Sequence, residues 1–229
     1  MITLAEFKPV DGVVDIAQLI AVTPATAKAG TAFSTARNES EAIDTSGLLA
    51  PVQGAVVKLQ HTIAKSAAAV NSLNRAVAVL PAMLGAQRPR NYLLLFQNPA
   101  ELRSSGGISG ALALVHTENG RVQMVQQAAS YDFPHCLKSV IPLSAETRRL
   151  YGDITGEYIQ EVNLTPKFAE WAALAREMWR QQFGLTVDGV LSIDPLALSY
   201  LLNATGSITL PTGDVMASTN AVKLLLSDA

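Results

Sequence analysis

The chain has 229 residues, of which 49% are hydrophobic and only 16% charged, so it can bury a large core and is not intrinsically disordered. Seventeen Lys and Arg against nineteen Asp and Glu leave a net charge of -2, which argues against an electrostatic nucleic-acid binder. A single cysteine, Cys136, excludes an intrachain disulfide and a Cys-based zinc site, and His61, His116 and His135 are far apart in sequence.

Met1 to Lys8 lacks the basic and apolar regions of a signal peptide, and no stretch is long and apolar enough to predict a membrane span. Met1 to Val14 reads as a short extended lead-in. Composition then shifts near residue 88: residues 1–88 hold 19 of the 34 alanines but only two aromatics, Phe7 and Phe33. Alanine favours helix and lets helices approach closely. The pattern predicts one helix from about Asp15 to Asp44 and, after Asp44-Thr45-Ser46-Gly47, a second to about Ala82. In the second, Leu48, Val52, Ala55, Val56, Leu59, Ile63, Val70, Leu73, Val77 and Leu80 form an apolar stripe. The expectation is a helical hairpin over residues 1–88.

Gln87-Arg88-Pro89-Arg90 reads as a boundary. Tyr92-Leu93-Leu94-Leu95-Phe96-Gln97 suits a strand buried on both faces. Asn98 to Gly107 reads as a loop, and Ile108 to His116 as a second strand. Glu118-Asn119-Gly120 is a hairpin turn signal, so Arg121 to Gln127 pairs antiparallel with the second strand. Ser144 caps a short helix. Asn163-Leu164-Thr165-Pro166 is expected to cap a longer one, from Pro166 to about Phe183, with Trp171 and Trp179 on its core stripe and Gly184 at its end. Strand Val187 to Ile193, helix Pro195 to Ala204, strand Gly206 to Pro211 and helix Ser218 to Leu226 follow. Strands alternating with helices over residues 89–229 predict an α/β fold: a three-layer-like α/β sandwich with a mixed sheet, preceded by the alanine-rich hairpin.

Standard motifs for phosphate loops, dinucleotide sites, zinc proteases and nucleophile elbows are absent. Ser104, Ser105 and Ser109 have no nameable base, and Cys136 beside His135 reads first as a small buried hydrophobe. The segment Asn98 to Gly107 is the most informative. It sits at the carboxyl end of an expected central strand, where open α/β sheets place ligands. Arg103 can clamp phosphate or carboxylate, Gly106 and Gly107 permit close backbone approach, and Glu101 and Asn98 add polar groups. Internal pairing of Glu101 and Arg103 is the competing explanation. Asp188 and Asp194 flank a strand; Asp194, before Pro195, reads as a helix cap ahead of a cation ligand. Asp132 is a further acidic candidate near the same sheet edge.

Several stretches together resemble one family, the actinobacterial cell-surface proteins known as domain of unknown function 4012. They are Pro89 to Asn98, Ala100 to Arg103 with Gly106-Gly107, Val162 to Phe168, Val187 to Pro195, and Ala204-Thr205-Gly206. The resemblance implies an extracytoplasmic, cell-surface location in a parent protein with an N-terminal membrane anchor and further sequence beyond this segment. The apolar run Ala221 to Leu226 suggests the same excision.

The same stretches are similar, more distantly, to the LytR-CpsA-Psr group, which transfers polyprenyl-pyrophosphate-linked glycopolymers to peptidoglycan using magnesium. That similarity puts Asn98 where the group has an acidic metal ligand, Arg103 near its loop arginine, Asp132 near its acidic motif, and Leu224-Leu225-Leu226 where it has a basic helix end. The departures weaken both the metal site and the pyrophosphate grip. The expectation is therefore an envelope domain that binds a cell-wall polymer, a lipid-linked precursor or a partner protein, with candidate ligand residues Asn98, Glu101, Arg103, Gly106, Gly107 and Asp132 and no cofactor of its own. The alternative is a magnesium-assisted phosphotransferase with Arg103 on phosphate. A third class is an interaction module docking through the hairpin. The transferase requires a deep apolar groove beside Arg103, and all of these readings expect Glu101, Arg103 and Asp132 to gather around one cleft.

Overall fold

The computed structural model of the chain describes residues 9–10 and 12–226. Most of the expected lead-in, residues 1–8 and 11, lies outside them. The chain divides into two compact units, Met1–Pro89 with Thr117–Val122, and Arg90–His116 with Gln123–Ala229.

In the first unit α1 (Ile16–Glu41) and α2 (Ala50–Met83) pack against each other. Asp15 caps α1 by accepting from the Gln18 N–H, and Pro51 stands in the first turn of α2. On α2 the inward positions are Val56, Gln60, Ile63, Ala67, Val70, Asn74 and Val77, alternating steps of four and three as in a helix–helix seam. They face Leu19, Val22, Gly30 and Ser40, the buried positions of α1. Gln60 donates to the Ser40 carbonyl at 2.7 Å, and a Cβ on Gly30 would stand 3.3 Å from the Asn71 amide oxygen. Half of the expected stripe is thus elsewhere: Val52, Leu59 and Leu73 are 45–50% exposed. One neighbouring helix covers only one seam, and the apolar face of α2 is wider than that. No described helix is long and apolar enough to cross a membrane.

The second unit is built on a four-stranded sheet of order β3-β2-β1-β4, with β1 (Arg90–Arg103), β2 (Gly106–Glu118), β3 (Arg121–Ala129) and β4 (Gly189–Ile193). Asn119 and Gly120, at φ 49° and 84°, make the two-residue turn between β2 and β3 that positive φ at both positions requires. Strand β4 lies parallel to β1, with Tyr92 opposite Gly189 and Phe96 opposite Ile193. The sheet is mixed, as its sequence pattern predicts.

The expected loop from Asn98 to Gly107 is instead the far end of a β-hairpin. Strand β1 runs on to Arg103, a two-residue turn at Ser104-Ser105 reverses it, and β2 begins at Gly106. Pro99 is tolerated because β4 stops opposite Phe96, so beyond that point only the β2 side of β1 needs backbone donors.

Side chains alternate across the sheet. Leu93, Leu95, Leu112 and Leu114 face a core filled by α4 (Phe168–Phe183), whose Trp171, Leu174, Ala175, Met178 and Trp179 are buried. Gly184, at φ 70°, ends α4. The α4 start is not capped by Asn163, which is fully buried and turned to the hairpin. Its first turn is anchored through Glu170, whose carboxylate accepts from the Ser144 N–H at 2.6 Å and from the Thr147 hydroxyl. This joins α4 to the start of α3 (Ala145–Tyr151), capped by Ser144.

Across the sheet from α4 lie α5 (Pro195–Thr205) and α6 (Ala221–Leu226), with the β5–β6 ribbon (Ile208–Thr209, Val215–Met216) completing a small core of Leu202, Met216 and Ala221. These helices border the second face without sealing it.

Candidate functional site

Between that second face and α5–α6 runs an apolar groove of about 600 Å³, inside the range of ligand pockets. Leu94 and Phe96 of β1 and Ile193 of β4 form its floor, Met124 of β3 one wall, and Leu198, Leu225 and Leu226 the helical side. The register explains the floor. Pairing Phe96 with Ile193 points both to the same face, two residues short of Asn98 and one short of Asp194. The groove therefore ends at the carboxyl ends of the two parallel strands, where polar groups meet it.

Those polar groups are Asn98 and Asp194, with Gln97 beside them in the lining. Asn98 accepts from the Ala100 N–H through Oδ1 at 3.0 Å, which leaves its amide nitrogen as a donor. Asp194 accepts from the Ala197 N–H through Oδ1 at 2.6 Å and so caps α5, as its place before Pro195 predicts. Asp188 lies before the opposite end of β4, where it pairs with Arg90 at 3.0 Å and accepts from the Asn91 N–H. The two aspartates do not converge on a cation.

The remaining sequence candidates fall into separate places. Arg103 leaves the hairpin tip to pair with Glu161 at 3.1 Å, with side chains only 17% and 19% exposed. Ser104 and Ser105 donate to the carbonyls of Leu164 and Asn163. Asn163 returns a hydrogen bond from its amide to the Gly107 carbonyl at 2.6 Å. The glycines permit close packing: a Cβ on Gly107 would collide with the Asn98 carbonyl, and one on Gly106, at φ 131°, with the Gln97 amide. Glu101 is exposed on the outer part of β1.

Asp132 closes its own 3-10 turn by accepting from the Ala129 N–H at 2.7 Å, while its carbonyl accepts from Gln182 at the C-terminal end of α4. Arg103 meets the segment that enters the N-terminal end of the same helix. Glu101, Arg103 and Asp132 do not share one cleft, and the groove opens beside Asn98 rather than Arg103. The Ala129 to Asp132 stretch forms a turn whose carboxylate is spent on backbone. Among the described residues no three His, Cys, Asp or Glu side chains converge as a metal site. His135 stacks on Tyr158 and its Nε2 lies 3.6 Å from Glu157.

The floor of the groove is hidden in the sequence by its own apolar run, which reads as a strand covered on both faces. Phe96, 37% exposed, shows that one face is open. Leu225 and Leu226 line it where the more distant resemblance implies a basic helix end.

Residues 87–229 match the family described as Protein of unknown function (DUF4012). Neither the curated proteins nor the solved structures give a match to this chain.

Proposed function

The chain belongs to the DUF4012 family, and on that premise we propose that it is an extracytoplasmic cell-envelope domain that binds a lipid-linked envelope molecule by its apolar chain. The observation that carries this reading is the groove: about 600 Å³ of space floored by Leu94, Phe96 and Ile193 on one face of the sheet. Apolar surface left open on this scale marks a ligand or partner site. A cell-wall polymer of sugars would ask for hydrogen-bonding groups all along such a groove, and its polar side chains, Gln97, Asn98 and Asp194, are few.

The phosphotransferase reading draws less support. Its phosphate grip would fall to Arg103, whose guanidinium is paired with Glu161.

Titration with farnesol, a short isoprenoid alcohol, tests the proposal. Wild type is expected to bind it, and Ala111→Trp, which puts an indole into the groove, is expected to abolish binding while the far-UV circular dichroism stays unchanged. Binding that survives Ala111→Trp overturns the assignment. Polyprenyl phosphate with magnesium, offered to wild type and to Arg103→Ala, tests the transferase reading, which requires binding that depends on Arg103.

A further inference from the structure

We infer that the groove selects amphiphiles whose first polar group beyond the apolar chain is neutral or cationic, and discriminates against phosphate or carboxylate in that position. The inference rests on the reading of the groove as a ligand site and specifies the chemistry of its ligand.

Three features of the groove carry it. First, Asp194 is the only ionisable residue among the described residues that line the groove, and none of those is a Lys, Arg or His. An anion placed there would meet a carboxylate with no cation in the lining to offset it. Second, the feature that would ordinarily attract an anion, the N-terminus of α5, is already partly committed. Pro195 at the first position has no N–H to offer, and the Asp194 carboxylate itself takes the Ala197 N–H. The helix end is filled by an anion that belongs to the chain. Third, the remaining groups at this end are complementary to a hydroxyl or an amine. Asn98 keeps an amide donor, because its oxygen is taken by the Ala100 N–H, and Asp194 keeps Oδ2 as a charged acceptor. A hydroxyl both accepts and donates, so it suits either group; an ammonium pairs with the carboxylate.

The ligand class is therefore long-chain alcohols, neutral acylglycerol-type or glycolipid amphiphiles, and long-chain amines. Polyprenyl phosphates, with the anion directly on the chain, are outside it.

The experiment compares dodecanol, dodecylamine and dodecyl phosphate, each below its aggregation limit, by isothermal titration into the 229-residue chain at neutral pH. The alcohol and the amine are expected to bind at least about tenfold more tightly than the phosphate. Asp194→Asn removes the charge but keeps a strong N-cap residue, and is expected to bring the amine and phosphate affinities to within about threefold of each other. Dodecyl phosphate binding as tightly as the alcohol to wild type overturns the head-group inference and leaves the groove reading standing. A preference unchanged in Asp194→Asn overturns the role given to that carboxylate. If none of the three binds, or if Ala111→Trp binds them all as wild type does, the groove reading itself fails. The wild-type comparison decides the head-group question even where the variant is poorly folded.

Discussion

The side-chain amide of Asn163 donates to the backbone carbonyl of Gly107 across 2.6 Å, and Asn163 has no solvent exposure at all. This bond ties the segment entering α4 to the tip of the β1–β2 hairpin. Leaving a buried carbonyl unpaired costs about 1–3 kcal/mol, so Asn163→Ala is expected to destabilise the sheet unit by that amount. Asn163→Asp is expected to be worse at neutral pH, since it places a carboxylate against a carbonyl oxygen. Trp171 and Trp179 are both buried in this unit, so the urea midpoint read by tryptophan fluorescence checks the ranking.

Arg103 and Glu161 form the second tie at the same corner. Removing one partner strands a poorly hydrated charge, so Arg103→Ala or Glu161→Ala alone is expected to cost about 1–3 kcal/mol. The pair Arg103→Met with Glu161→Leu is expected to recover most of that loss, because two apolar groups leave no charge unmatched. A double-mutant cycle from urea unfolding gives the coupling directly; independent single effects would show that the pair contributes nothing as a pair.

Glu170 makes the sheet unit sensitive to acid. Burial alone would raise its pKa, but hydrogen bonds from the Thr147 hydroxyl, the Ser144 N–H and the Ser144 hydroxyl outweigh burial and hold it below the ordinary glutamate value of 4.5. A carboxylate with a lowered pKa stabilises the fold fully above that unfolded value, and the contribution disappears as pH falls through the lowered one. Glu177, pulled down to about 2 by Arg180 and then Gln181, acts in the same direction but on the surface. Urea midpoints followed from about pH 6 to about pH 3 are expected to fall steeply for wild type and less for Glu170→Gln, which starts lower. Parallel curves would remove Glu170 from the acid response.

Gly54 sits in the interior of α2, and a Cβ added there would meet nothing within 4 Å. Gly54→Ala is expected to stabilise the hairpin by about 0.5–1 kcal/mol, through reduced freedom of the unfolded chain. The helical signal at high temperature, compared between wild type and variant, checks it.

What the sequence makes legible follows the reach of local physics. Asn119-Gly120 announces a tight turn because few residue pairs tolerate positive φ twice, and Asp15, Ser144, Asp194 and Gly184 announce helix ends by chemistry confined to one turn. Asn98 to Gly107 misleads for the same reason. Proline, serines and two glycines describe a loop locally, and only the early end of β4 shows that a strand can continue there. Asn163 reads as a cap until its distant partner, Gly107, is known. Arg103 reads as a free clamp until Glu161 is placed beside it. The groove requires knowing that the helices bordering the outer sheet face leave it uncovered, which no pattern in Tyr92 to Gln97 records.

The ties at the hairpin tip also set an order of events. Asn163 to Gly107 and Ser104 to Leu164 join positions 56 and 60 residues apart, whereas the turns of α1 and α2 close over a few residues each. Distant closures pay their chain entropy before any bond repays it. The alanine-rich helices are thus expected to form early, and the corner where the crossover clasps the hairpin to be the last part of the sheet unit to settle.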